Sequence, residues 1–335
     1  MTTRRAFVAA TAAAALLPRA ASAEPTPVRL IGFLSAGALP LYVAADRGFF
    51  ARENLAVTLT QTPGSVYQFQ HLSAGDFDVA ATALDNIIAY DEGQGEALLP
   101  NPADFVAFMG GDGGLLSLWA RPEIGSIAAL RGTTVAVDAL TTGYAFVLYR
   151  MLAQNGVAVD DVRRLAVGAT KQRFDALRAG TASAALLSPP YNVAAKAAGF
   201  TLLGAASDVI GAYQGSCLVA RRPWLAANGA TAERLVRAVL AATAWLYAPA
   251  NRADAIAVLA ARSSVSIDEA TPIFVSLTDP KNGIEPHGAM LPAALDAVLA
   301  LRSAYALPKK TLTDPLRYYD GSIYRRAGGA ASARG

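Results

Sequence analysis

The stretch from Leu30 to Phe50 constrains the fold more than any other part of the chain. Leu30 to Leu34 is a short apolar run, the pattern of a buried strand. Ser35 to Ala38 is small and contains Gly37, so the backbone can turn tightly there. Pro40 suits the first turn of a helix, where its missing N–H costs nothing. Leu41 to Arg47 continues at helical spacing, and Gly48 suits the position just past the end. Strand, tight loop and helix in this order set a helix N-terminus at the carboxyl end of a strand, where open α/β sheets take their ligands.

The pattern recurs along the chain. Strands are expected over 28–34, 56–60, 77–81 and 105–109, with helices over 39–47, 66–74 and from Asp85 to about Glu92. Ser65 and Thr82 are candidate N-caps. Gly110-Gly111-Asp112-Gly113-Gly114 then marks a hinge or a place of close backbone approach. A second set follows: strands over 134–137, 164–167 and 184–187, helices over 144–154 and 172–179, and a further helix opened by Ser188-Pro189-Pro190-Tyr191. Leu72-Ser73-Ala74-Gly75 with Ala80 matches Leu177-Arg178-Ala179-Gly180 with Ala185 at identical spacing. Two βαβαβ units in one chain imply two similar lobes. A strand over 216–219 and helices over 231–247, 252–261, from Ser266, and over 291–305 complete the order. Ser266 and Glu269 form a capping-box pattern. From Gly328 the chain is small and polar, and 328–335 is expected to be a flexible tail.

At 335 residues the chain is long enough for two domains. Residues 1–23 read as a signal peptide: Arg4-Arg5, an apolar run from Phe7 to Leu17, and Ala21-Ser22-Ala23 as the cleavage site. Thr3-Arg4-Arg5-Ala6-Phe7-Val8 fits the twin-arginine export signal, with the general secretory route as the alternative. No Cys follows the apolar run, so a lipid anchor is not expected and the mature chain is expected in the periplasm. Cleavage after Ala23 removes three of the 29 basic residues and no acid, leaving 26 basic against 26 acidic. The precursor pI of about 9.0 therefore carries no nucleic-acid signal. Cys217 is the sole cysteine, so no intrachain disulfide can form, and a small buried core residue is its plain reading.

Pro40-Leu41-Tyr42-Val43-Ala44-Ala45-Asp46-Arg47-Gly48-Phe49-Phe50, followed by Glu53-Asn54-Leu55, resembles the opening motif of periplasmic substrate-binding proteins of ABC importers, in the nitrate/sulfonate/taurine and thiamine-pyrimidine-precursor group. The two Leu-x-Ala-Gly segments and Leu130-Arg131-Gly132-Thr133-Thr134-Val135-Ala136-Val137 match that group too. The resemblance covers roughly Val28 to Tyr247. It implies a type II periplasmic binding fold: two doubly wound α/β lobes joined by two crossovers, near Leu115–Ala120 and Tyr213–Val219, around a central ligand cleft. The lobes fall at 24–115 plus 218–330 and at 116–217. It also implies a monomer that captures a small-molecule solute by hinge closure and delivers it to an inner-membrane permease and ATPase. A periplasmic sensor subunit is the alternative. No cofactor, metal or nucleic acid is implied.

Turns at the strand ends supply the candidate ligand-binding residues: Ser35, Leu39, Ser65, Tyr67, Thr82, Asp85, Asn86, Asp112, Asp138, Thr142, Tyr144, Ser188 and Tyr191. Converging helix N-termini favour an anion such as a sulfonate. The three acids Asp85, Asp112 and Asp138 favour a solute with N–H donors, such as a pyrimidine or other N-heterocycle, and the tyrosines suit a flat ring. Each acid also has a plain role, Asp85 at a helix first turn and the others as turn formers. A catalyst is not expected. His71 falls in a helix, His287 in a distant loop, and no nucleophile elbow, zinc spacing or phosphate loop is present. The cysteine-rich motif of pyrimidine synthases of this fold cannot be matched by Cys217 alone.

Overall fold

The computed structural model describes residues 24–329. The expected signal peptide, residues 1–23, and residues 330–335 of the expected tail lie outside them. The ten strands are β1 (Thr26–Gly32), β2 (Leu55–Gln61), β3 (Val79–Ala83), β4 (Phe105–Gly110), β5 (Ser117–Ala120), β6 (Thr134–Val137), β7 (Arg163–Ala166), β8 (Ala184–Leu187), β9 (Thr201–Ala205) and β10 (Ser216–Arg221). The longer helices are α1 (Leu39–Asp46), α2 (Ser65–Ala74), α3 (Leu84–Asp91), α4 (Gly143–Gln154), α5 (Thr170–Arg178), α6 (Tyr191–Ala197), α7 (Gly229–Tyr247), α8 (Arg252–Ser263), α9 (Ile267–Leu277) and α10 (Pro292–Tyr305).

The strands form two sheets of one design, β2-β1-β3-β10-β4 and β7-β6-β8-β5-β9. In the first, β1 runs parallel to β2 and β3, and β10 lies antiparallel between β3 and β4. In the second, β6 runs parallel to β7 and β8, and β5 lies antiparallel between β8 and β9. Each sheet thus takes as its fourth strand the one that follows a crossing from the other sheet. The chain crosses at 111–116 and again at 206–215. Ser216 and Cys217 already pair within the first sheet, and β5 begins at Ser117, so both crossings begin earlier than the sequence suggests, and the second is longer.

The internal match has a structural cause. Gly75 and Gly180 end α2 and α5, each helix feeding the third strand of its sheet, and both glycines hold positive φ, +89° and +73°. A left-handed backbone there is open to glycine without a Cβ clash. The inner parallel strands β3, β6 and β8 are largely buried and read as apolar runs, whereas the edge strands β2 and β7 are mostly exposed or half-exposed. Ser266 caps α9 in the expected box with Glu269. Gly328 and Gly329, the first two residues of the expected tail, donate back to Arg325 and Tyr324.

Each sheet has a core of its own on one side, and the two share a third between them. One buried cluster runs from Ile31, Leu84 and Ile87 through Leu295, Val298 and Leu299 of α10 to Val135, Phe146 and Leu148. Helix α10 therefore packs on α3 beside the first sheet and on α4 beside the second, and joins the lobes outside the two crossings.

Candidate functional site: the cavity between the sheets

The carboxyl ends of the parallel strands in both sheets open onto one cavity of about 480 Å³. That is well within the range of pockets for small organic ligands. Nine of the thirteen candidate residues line it: Ser35, Thr82, Asn86, Asp112, Asp138, Thr142, Tyr144, Ser188 and Tyr191. Thr82 and Asn86 are tied to each other, Asn86 Nδ2 donating to Thr82 Oγ1 at 2.9 Å. Thr82 lies inside β3 and does not cap α3, because the strand runs on to Ala83. Ser35 makes no side-chain cap bond at the short helix that follows it. Thr142 caps α4, accepting from Ala145 N.

Four candidates do not line the cavity. Leu39 is wholly buried in the core beside the first sheet. Ser65 is the first residue of α2 behind Gly64 and makes no cap bond. Tyr67 is 41% exposed and lies against His71, ring centres 4.0 Å apart. Asp85 is the largest correction. Arg302 of α10 donates to both of its oxygens, Nε at 2.7 Å and Nη2 at 2.7 Å, and Gly143 N donates to Oδ2 at 2.5 Å. Arg302 Nη2 reaches on to Thr141 O at 2.9 Å, and Nη1 to Gln94 Oε1 at 3.2 Å. Both side chains are buried, 0% and 1% exposed. Asp85 is thus a strut from α3 to the N-terminus of α4, with no oxygen left for a solute.

The polar end of the cavity belongs to the second sheet. Asp138 follows β6 and accepts from Thr142 Oγ1 at 2.6 Å. Arg173 of α5 faces it, Nη1 at 3.5 Å, and donates from Nη2 to Thr170 Oγ1 at 2.8 Å. Thr170 is linked in turn to Ser188, the hydroxyls 3.2 Å apart. Arg173 is 2% exposed, yet its Nε has no hydrogen-bond partner. Burial pushes the Asp138 carboxyl up, and the guanidinium pulls it back down. Burial also lowers Arg173, but a guanidinium stays protonated in a protein. Tyr144 stands beside this pair, Tyr191 lies against Phe174 near Lys171, and burial raises both hydroxyls. Asp112 belongs to the crossing: it accepts from Gly114 N at 2.7 Å and from Ser216 Oγ, and burial pushes it up.

The glycine run is there for close approach. A Cβ on Gly110 would meet Ala289 O at 2.2 Å, and one on Gly113 would meet the Asn282 backbone at 2.8 Å. Loop 282–289 packs onto this run through the Asp112–Ile284 bridge and through Glu285 N, which donates to Gly111 O at 2.7 Å. Glu285 therefore joins the cavity lining from far along the chain.

Arg173, Lys171 and Glu285 are the charged lining residues the candidate set lacks. For Arg173 a signal was present, since it shares a helical face with Phe174 and Leu177, both buried, while Lys171 turns out to pair with Asp175. For Glu285 there was none. Cys217 lines the cavity wall from β10, and burial pushes its thiol up, against a nucleophilic role. His71 bonds Asp76 at 2.6 Å on the surface. Among the described residues, no group of acids, histidines and cysteine has metal-site geometry and no helix is long and apolar enough to cross a membrane.

The family model for the NMT1-like family matches residues 21–260, most of the chain and every strand of both sheets. The chain belongs to the NMT1-like family. Solved structures place it in the periplasmic binding protein fold, alongside the nitrate/sulfonate/taurine group. The alkanesulfonate-binding protein SsuA from Xanthomonas axonopodis pv. citri, bound to MOPS, is similar at a TM-score of 0.68 and 18% identity, over 83% of this chain and 92% of that one. The periplasmic nitrate-binding protein NrtA from Synechocystis PCC 6803 is similar at 0.73 and 13%, over 91% and 89%. The desulfurization enzyme DSZB shares the fold at 0.60 and 13%, over 90% and 98%, so the fold alone does not decide between binder and catalyst. A search of curated proteins finds no match.

Proposed function

We propose that this chain is the exported solute-binding subunit of an ABC importer, and that its solute is a small flat organic molecule carrying N–H donors beside an acceptor. The observation that carries the reading is the cavity's charge: Asp112, Asp138 and Glu285 line it against Arg173 and Lys171. A lone anion would face three carboxylates, and Lys171 is already engaged by Asp175. A donor-bearing ring meets Asp138 and the tyrosines, and its acceptor meets Arg173. The second reading is a sulfonate, favoured by the unpartnered Nε of Arg173 and by the ligand class in the SsuA name.

A thermal-shift screen over pyrimidines, other N-heterocycles and sulfonates separates the two. A solute at a hundred times its Kd adds about 2.7 kcal/mol. Stabilisation by sulfonates alone would overturn the first reading. Hinge closure predicts that X-ray scattering shows a smaller radius of gyration with the hit than without it; an unchanged profile at saturation would count against it. Export with cleavage after Ala23 predicts a mature chain beginning at Glu24, read by intact mass of the secreted protein. Uptake of the labelled hit should stop when the gene is deleted; growth signalling without uptake would point to a sensor.

A further inference from the structure

The cavity has a second polar end. Loop 282–289 brings Glu285 to it on the side of the first sheet, and the side chain is only 7% exposed. Its Oε2 accepts two backbone N–H groups of its own loop, from His287 at 2.8 Å and Ala289 at 2.7 Å. Its Oε1 has no partner, and Glu285 enters no ion pair among the described residues. Met109, Leu218, Val239 and Ile284 belong to one apolar cluster that reaches the wall. Thr243 spends its hydroxyl on Val239 O, and the Tyr324 hydroxyl near the carboxylate donates to His287 O at 2.8 Å. The two backbone donors hold the carboxylate in place, and its free oxygen stands in a low-dielectric lining where a missing hydrogen bond is costly. A cationic donor is the partner that such an oxygen takes most favourably.

We propose that Glu285 receives an ammonium or amidine-type N–H group of the bound solute, so that the cavity selects a bipolar molecule. An acceptor end lies at Arg173, a cationic donor end at Glu285, and an apolar or aromatic body fills the space between. This deepens the reading of the cavity as a solute site and rests on it. It also gives the loop a purpose: the glycine run lets residues 282–289 come close enough to deliver the carboxylate.

The test uses the mature protein and a matched pair of probes, 4-(aminomethyl)benzoate and 4-(hydroxymethyl)benzoate, measured by isothermal titration. The wild type should bind the amine at least about tenfold more tightly than the alcohol, about 1.4 kcal/mol. Glu285→Gln keeps a side-chain acceptor for the loop and should abolish the preference, with the apo melting temperature checked alongside. Should that variant fail to fold, Asp138→Asn takes its place: the preference for the amine should persist in it, and its loss there would assign the donor end to Asp138 and overturn the proposal. Equal affinities in the wild type, a preference that survives in Glu285→Gln, or no binding of either probe would each overturn the assignment. Where both probes bind equally and Asp138→Asn weakens both, the cavity reading stands and the Glu285 assignment falls. Where the solute screen finds no binder, the cavity reading itself falls.

Discussion

Two buried arginine–aspartate pairs sit on either side of the N-terminus of α4, and they differ in what is left unpaired. In Asp85–Arg302 every oxygen of the acid has a donor, both terminal guanidinium nitrogens and Nε are used, and neither group lines the cavity. In Asp138–Arg173 the contact is longer, 3.5 Å against 2.7 Å, Nε has no partner, and both residues line the cavity. Burying a charge is costly unless its bonds are satisfied inside the protein. The first pair meets that condition alone and holds the scaffold together. The second meets it only in part, which leaves bonding capacity for a solute.

Breaking the first pair should have the largest effect. Arg302→Met strands Asp85 as a buried unpaired charge and should cost about 3–5 kcal/mol of stability, read by urea unfolding. The double variant Asp85→Asn, Arg302→Met should recover much of that loss, because no bare charge remains. A small loss in Arg302→Met would mean the strut is not what joins α3, α10 and α4.

The second pair should respond in binding instead. Arg173→Met should weaken the screened solute about ten- to a hundredfold, the worth of one charge-assisted hydrogen bond of about 1.5–3 kcal/mol. Its loss of apo stability should be clearly smaller than that of Arg302→Met, since Asp138 is 16% exposed and keeps Thr142. Equal stability losses in the two arginine variants would erase the distinction.

A third acid, Asp91, sharpens the comparison from the other side. It accepts only Phe105 N at 3.3 Å and has no bonded guanidinium, and burial raises its pKa from the usual 3.8 to about 7. The folded state therefore holds a proton that the unfolded chain releases. Stability from this group is full below about pH 4 and is lost as pH rises through 7. Asp91→Asn keeps an acceptor for Phe105 N, so it should melt a few degrees above wild type at pH 8 and level with it at pH 4. A variant no more stable at pH 8 would show that Arg222 and Arg317 already compensate Asp91.

The legible part of the molecule was what local chemistry determines. The inner parallel strands, glycine helix ends and the Ser266 box declare themselves within a few residues. Strands β5 and β9 did not: β5 falls within the stretch assigned to a crossover, and β9 is half-exposed, Leu202 at 52%. The turns at the strand ends correctly located nine cavity residues, because strand direction alone sets where those turns open. Asp85 misled, because its role is set by Arg302, 217 residues away, and no local pattern encodes that partner. Glu285 was hidden for the same reason.

The central claim is that Asp138 holds solute while Asp85 holds the scaffold. Titration of the screened solute into Asp138→Asn, with the apo melting temperature taken on the same sample, tests it most directly. About ten- to a hundredfold weaker binding is expected, with a loss of melting temperature clearly smaller than that of Arg302→Met, because Arg173 keeps Thr170 as an acceptor. Unchanged affinity with a loss of several degrees would contradict it and make Asp138 a turn residue.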